Sequence, residues 1–299
     1  MKKLVEYINE SYEYTHNLSK SEQDWVNYNK NKGKSKVQPK SKKELIKIIN
    51  DSFEKGVYDL NFIDTSKIKD MSELFYLGVK LRKFDKSIQK SINISDWDVS
   101  NVKDMNHMFH KCEYFNCDLS NWDVSKVKNM NEMFSDCDDF DCDLSNWDVS
   151  NVTTMNNMFD GCENFNCDLS NWDVSKVKNA HHMFNACNKF DCDLSSWDVS
   201  NMTNMSGMFA GCWNWTGKGI ENWDVSNVKD MSYMFQFCYD LNCDLSSWDV
   251  SNVTNMRDMF DECERLECDL SSWNVSNVLD MRDMFYGCNK LTIPAWYNG

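Results

Sequence analysis

Tryptophan recurs along this chain in steps of 25 residues, at Trp97, Trp122, Trp147, Trp172, Trp197, Trp223, Trp248 and Trp273, with a single step of 26 before Trp223. Self-similarity at such a period is the mark of repeat architectures. Seven of these tryptophans lead Asp-Val-Ser, and the last leads Asn274-Val275-Ser276. Each unit runs on through a Met-rich stretch to Phe109, Phe134, Phe159, Phe184, Phe209, Phe235, Phe260 or Phe285, with a cysteine three residues later. A fainter copy from Ile63 to Met71 aligns with Trp122 to Met130 and makes nine units. A unit this short has no closed core of its own, so the copies must stack on one another.

Inside a unit the apolar spacing changes. Phe140, Cys142 and Leu144 alternate with polar residues, as do Trp147 and Val149, which predicts short strands with one buried face. Val152, Met155, Met158-Phe159 and Cys162 step by three or four, which predicts a helical or 3₁₀ turn. The expected fold is a right-handed, leucine-rich-repeat-like solenoid: short parallel strands plus one helical turn per 25-residue rung, about nine rungs, with a Trp/Val/Met/Phe interior. At about 4.8 Å per rung the rod would be roughly 40 Å long. Its ends need covering, because open rungs expose unpaired backbone. Residues 41–54 read as a capping box, Ser41 to Glu44, followed by an amphipathic helix carrying Leu45, Ile46, Ile48, Ile49 and Phe53. Ile293-Pro294-Ala295-Trp296 closes the other end. The expected divisions are an N-terminal helix and basic tether over 1–38, a capping helix and lead-in over 39–62, and the repeats over 63–299.

Charge follows the same division. Residues 1–60 hold 12 lysines against 9 carboxylates, a net +3, whereas residues 61–299 hold 20 basic and 38 acidic residues, a net −18 within the chain total of −15. Nucleic-acid binding draws on clustered Lys and Arg, so no nucleic-acid partner is expected. No stretch approaches the ~20 apolar residues of a membrane-spanning helix. The basic start at Met1 to Glu10 is broken by Glu6, Asn9 and Glu10. The expectation is therefore no export signal, no membrane insertion, and a protein made in the cytoplasm that ends up associated with a virion or a surface.

The unit Trp-Asp-Val-Ser-Asn-Val-Thr-Asn-Met, followed by Met-Phe, Gly-Cys, Phe-Asn and Asp-Leu-Ser, resembles the BspA-like leucine-rich-repeat surface proteins of gut bacteria, mycoplasmas and their viruses. The resemblance covers residues 41–299 and implies a non-catalytic solenoid used for attachment or protein interaction. Two features depart from that pattern. Surface members carry export signals or anchors, and the position before Asp-Leu-Ser, often Gln in the family, is Cys117, Cys142, Cys167, Cys192, Cys243 and Cys268 here.

The cysteines pair as Cys-x4-Cys in six units, with no histidine in register, which argues against zinc. Column-mates about 4.8 Å apart would lie within reach of disulfide geometry. The other reading is a ladder of buried free thiols, favoured by the absent export signal. Aspartates form two columns, one after Trp and one before Leu-Ser. Asp-x-Ser is a turn-capping pattern, and no calcium nonapeptide is present, so no metal or cofactor is expected. The five histidines, His16, His107, His110, His181 and His182, share no constellation. His107 and His182 fall in a column with Glu132, Asn157, Gly207, Tyr233, Asp258 and Asp283, a variety that reads as solvent-facing. No catalytic motif appears, and the chain reads as no enzyme.

One rung is irregular. Residues 212–221 lose the second cysteine and gain a residue around Gly217-Lys218-Gly219. Trp215 takes the core Phe column, whereas Trp213 falls in the column of Glu113, Asp138, Glu163 and Asn188, with Tyr239 after it. Trp213, Tyr239, Tyr233 and Lys218 form the candidate partner-binding patch, since aromatic anchors dominate interfaces. A second candidate is a docking arm, Leu4, Val5, Ile8 and Tyr12, on a short helix. The function expected is protein–protein interaction or attachment through the repeats. The alternative is a virion structural or capsid-decoration protein held by the arm, with a capsid or cell-surface assembly as partner.

Overall fold

The computed structural model describes residues 36–298. The repeats form a stack in which one backbone position per rung pairs with the next: Asp70, Asp104, Asn129, Thr154, Asn179, Asn204, Asp230, Asn255 and Asp280 are joined by eight parallel bridges. Nine rungs follow. The first is longer by nine residues, and its insertion folds as a π-helical turn (Leu74–Gly78), a 3₁₀ turn (Leu81–Lys83) and a helix, α2 (Lys86–Ser91). Ahead of it lies α1 (Lys42–Phe53), whose cap Ser41 accepts the Glu44 N–H at 3.2 Å while Glu44 accepts the Lys40 N–H at 2.8 Å. Leu45, Ile49 and Phe53 give α1 its buried face. Among the described residues no helix is long and apolar enough to cross a membrane.

The internal layout of a rung differs from the expected one. The strands predicted at Phe140 to Leu144 and Trp147 to Val149 do not form, and the segment predicted to be helical carries the inter-rung bonding. Met155, Asn157, Phe159 and Gly161 donate their N–H groups to the carbonyls of Asn179, His181, Met183 and Asn185 at 3.4, 2.8, 2.9 and 2.8 Å. Every second N–H thus points to the following rung. This requires left-handed backbone at two positions per rung, such as Asn157 (φ 53°) and Gly161 (φ 75°). A helix would spend those donors internally; here the left-handed residues turn them outward. A second line of bonds runs the opposite way, as from Lys128 N–H to the Lys103 carbonyl at 3.0 Å.

Side chains take over where strands are missing. Each repeat Trp donates Nε1–H to the carbonyl of an apolar residue one rung back, as Trp172 does to Leu144 at 3.0 Å. From Cys137 onward, cysteines of the first column donate S–H to a Phe carbonyl, Cys162 to Phe134 at 3.1 Å; in the second column Cys117, Cys142 and Cys167 accept a backbone N–H, Cys167 from Leu144 at 3.0 Å, whereas Cys192 donates to the Cys167 carbonyl at 2.6 Å. All fourteen are free thiols. Burial pushes the Cys162 thiol far up and Cys167 to about 11, so both stay protonated at neutral pH. The Leu144 and Phe134 carbonyls gain a second donor in this way, beside the Trp147 and Cys137 N–H groups, and the buried Leu144 N–H finds its acceptor in the thiol. Rings fill the space between: Trp122 stacks on Trp147 at 6.5 Å, and Phe134 on Phe140 at 4.1 Å.

Candidate functional site

The bridge-bearing segment has two sides. Met155, Met158, Phe159 and Cys162 point into the core, and their equivalents recur in nearly every rung. The residues between them face outward on what we call the ladder face. At the first left-handed position the rungs carry Glu73, His107, Glu132, Asn157, His182, Gly207, Tyr233, Asp258 and Asp283. Three residues on stand Tyr76, His110, Ser135, Asp160, Asn185, Ala210, Gln236, Asp261 and Tyr286. Stacking puts unlike side chains side by side here. On the other edges it repeats one motif: Asp118 accepts the Ser120 N–H at 3.0 Å and Asp123 the Ser125 N–H at 3.1 Å, and the serine hydroxyl foremost, together with that N–H, holds both carboxyls below their usual range. Those aspartates are turn caps.

The column read as solvent-facing is exposed at Glu73 and Asp283 and half-buried or buried in the rungs between, where neighbouring side chains interact. His107 Nε2 lies 2.9 Å from Glu132 Oε2, with His110 Nδ1 at 3.7 Å from the same oxygen. Tyr76 packs edge-on to His110 at 4.5 Å, and Arg82 lies 4.7 Å over the Tyr76 ring. Burial, opposed by Glu132, brings the His110 pKa down to about 4, so that ring is neutral at pH 7. A Cβ on Gly207 would stand 2.3 Å from the His182 ring, so that glycine makes room for it. Among the described residues no group of three or more His, Cys, Asp or Glu is arranged to hold a metal ion.

Asp160, mid-face, accepts Asn185 Nδ2 at 2.6 Å. Burial, with the charges of Asp136 and Glu132 added, outweighs that bond and raises its pKa to about 6. A carboxyl raised on folding favours the fold while protonated and loses that contribution as pH climbs from about 4 through 6. Asp160→Asn should therefore gain about 1 kcal/mol at pH 7.5, the shift being discounted for partial exposure, and nothing at pH 3.5. Urea melts at the two pH values check this; an equal change at both would show that the charge is not the cause.

The sequence-predicted patch divides. Trp213 (46 % exposed) and Tyr239 (37 %) meet at 6.5 Å at the margin of the ladder face, each directly after its rung's core cysteine. Tyr233 is half-buried in the left-handed column (φ 59°). Lys218 belongs to another edge, where it pairs with Asp193 at 3.4 Å and its carbonyl accepts the Leu194 N–H. Trp215 is fully buried against Phe209 at 4.2 Å. Leu4, Val5, Ile8 and Tyr12 lie outside the described residues. Sequence reasoning passed over Phe237, which is exposed, left-handed (φ 60°) and 6.4 Å from Tyr239. With Asp258, Asp261, Glu262, Asp283 and Tyr286 it lines a cavity of about 380 Å³. A signal was available: Phe237 stands in a column that holds Gly161, Gly211 and Gly287 elsewhere, residues suited to left-handed backbone.

Comparison with known proteins matches residues 44–150, 117–216 and 204–297 to the family described as Mycoplasma protein of unknown function, DUF285. No curated protein and no solved structure matches the chain. The three matched segments overlap and run from within α1 to the last rung, over most of the length, and on that ground this tandem-repeat chain belongs to the DUF285 family.

Proposed function

We propose that the chain is a non-enzymatic binding protein whose protein partner sits on the ladder face. One observation carries this reading. The core columns and the Asp-x-Ser edges repeat almost unchanged through the rungs, whereas the outward ladder positions change identity at nearly every step. Stacking needs no such variety, so the variety serves something other than the stack. The exposed rings Trp213, Phe237 and Tyr239 lie side by side, Phe237 on that face and the other two at its margin, and exposed aromatic clusters of this kind anchor partners. The resemblance to BspA-like surface proteins, and the reading of the stack as a leucine-rich-repeat-like solenoid without regular strands, support attachment as the use of that contact.

Hydroxyl-radical footprinting tests this reading. The purified protein and the protein in its native setting are oxidised in parallel. Trp213, Phe237 and Tyr239 should be protected only in the native setting. Protection confined to the Asp-x-Ser edges would move the contact to another side of the stack.

A further inference from the structure

The cavity near the C-terminal end of the ladder face has the chemistry to select a ligand. Four carboxylates line it. Arg257 answers Asp258 at 2.9 Å, and Arg282 is held by Asp280 at 2.9 and 2.6 Å. Asp261 has only the neutral Gln236 amide at 2.8 Å, and Glu262 and Asp283 have no ion-pair partner among the described residues. The site is thus short of positive charge. Glu262 is also placed by its neighbour, since a Cβ on Gly287 would stand 2.8 Å from its carboxyl carbon. That glycine lets the carboxylate lie against the next rung.

The rings say which kind of cation fits. Phe237 and Tyr286 are 39 % and 65 % exposed and belong to the same lining. A bare divalent ion seeks six to eight oxygens and gains nothing from a phenyl face, and no grouping here suits one. A guanidinium is planar, stacks on aromatic rings and pairs with carboxylates through two N–H groups at once. The aromatic surface continues from Phe237 to Tyr239 at 6.4 Å and on to Trp213 at 6.5 Å. A ligand filling the cavity therefore has further apolar contacts to make across the neighbouring rungs, as a peptide would and a free amino acid would not.

We infer that this cavity takes an arginine side chain from a basic segment of a partner protein, stacked by Phe237 and Tyr286 and paired with Glu262 and Asp283. The inference rests on the ladder face being the binding face and adds the chemistry of the partner.

The test titrates the full-length protein with three fluorescently detected probes: a Gly/Ser peptide carrying four arginines, its four-lysine counterpart, and labelled arginine amide. The arginine peptide should bind about tenfold more tightly than the lysine peptide, and both more tightly than arginine amide. Tyr286→Ala, and the pair Glu262→Gln with Asp283→Asn, should each weaken the arginine peptide about tenfold or more. The charge-matched pair Asp118→Asn with Asp143→Asn, on the Asp-Leu-Ser edge, should leave binding within about twofold, because the Asn side chain keeps the turn bond. Phe237→Gly, which restores the residue found at Gly211, is the second cavity variant, and thermal melts establish that each variant is folded. Absence of arginine-peptide binding, equal binding of the lysine peptide, or equal loss in the two charge-matched pairs overturns the inference. Native footprint protection with no arginine binding would sink this inference alone. Arginine binding without any footprint would keep the cavity and remove the wider ladder-face reading.

Discussion

Trp172→Ala should lower the unfolding free energy by about 3–5 kcal/mol. The side chain is 2 % exposed, lies 6.2 Å from the Phe159 ring in mid-stack, and donates Nε1–H to the Leu144 carbonyl at 3.0 Å. Alanine removes the ring and takes away one of the two donors to that carbonyl, which keeps the Trp147 N–H at 3.0 Å. The two losses separate in Trp172→Phe, which keeps a smaller ring but gives up the indole N–H bond, at about 1–3 kcal/mol. Trp213→Ala is the comparison: that ring is 46 % exposed, and its loss should cost under about 1 kcal/mol. Denaturant melts of the three variants give the ranking. Equal losses for Trp172 and Trp213 would mean that the buried Trp column does not hold the stack together. Because each rung touches only its neighbours, the damage should also show as lost hydrogen-exchange protection centred on the rungs beside residue 172.

Gly219→Ala should cost about 2–4 kcal/mol. This glycine sits in the irregular rung at φ 90°, and a Cβ there would stand 2.4 Å from the Ser195 nitrogen, 2.6 Å from Asp193 Oδ1 and 2.9 Å from the Leu194 nitrogen. Two of those atoms are backbone of the preceding rung and cannot swing aside as a side chain can. The extra residue fits because Gly217 and Gly219 both take left-handed backbone, after which Ile220 resumes the place of the repeat leucine and accepts the Trp248 N–H at 3.0 Å. Gly56→Ala is the control, at φ 71° with nothing within 4 Å of the added atom, and should cost only the backbone term, about 1 kcal/mol. Matching losses at the two positions would show that the irregular rung yields without strain.

Some of this was legible before any coordinates. The 25-residue step, the nine units, the buried Trp, Met, Phe and Cys columns, the Asp-x-Ser caps and the Ser41 helix start each rest on burial or on bonds spanning two to four residues, and those leave a direct trace in residue type and spacing. Trp215 in the core and Trp213 at the surface followed from column position alone. The placement of Lys218 beside them did not hold, because the bulged backbone carries it to the Asp-Leu-Ser edge, where Asp193 takes its charge.

Only the tertiary structure decided how the rungs are joined. A segment with apolar residues three and four apart buries the same side chains whether its backbone is a helical turn or an alternation with left-handed residues at Asn157 and Gly161, so the pattern is the same for both. The choice is made by the partners of the Met155, Asn157, Phe159 and Gly161 donors, and those lie 24 residues further on in the next rung. The same alternation set the ladder face, bringing His107 to Glu132 and Phe237 to Tyr286 across rung boundaries. Columns that vary from unit to unit read along the sequence as solvent. Stacked, they become neighbours, because contact between rungs depends on register in space, and each residue type alone carries no record of what the next rung places beside it.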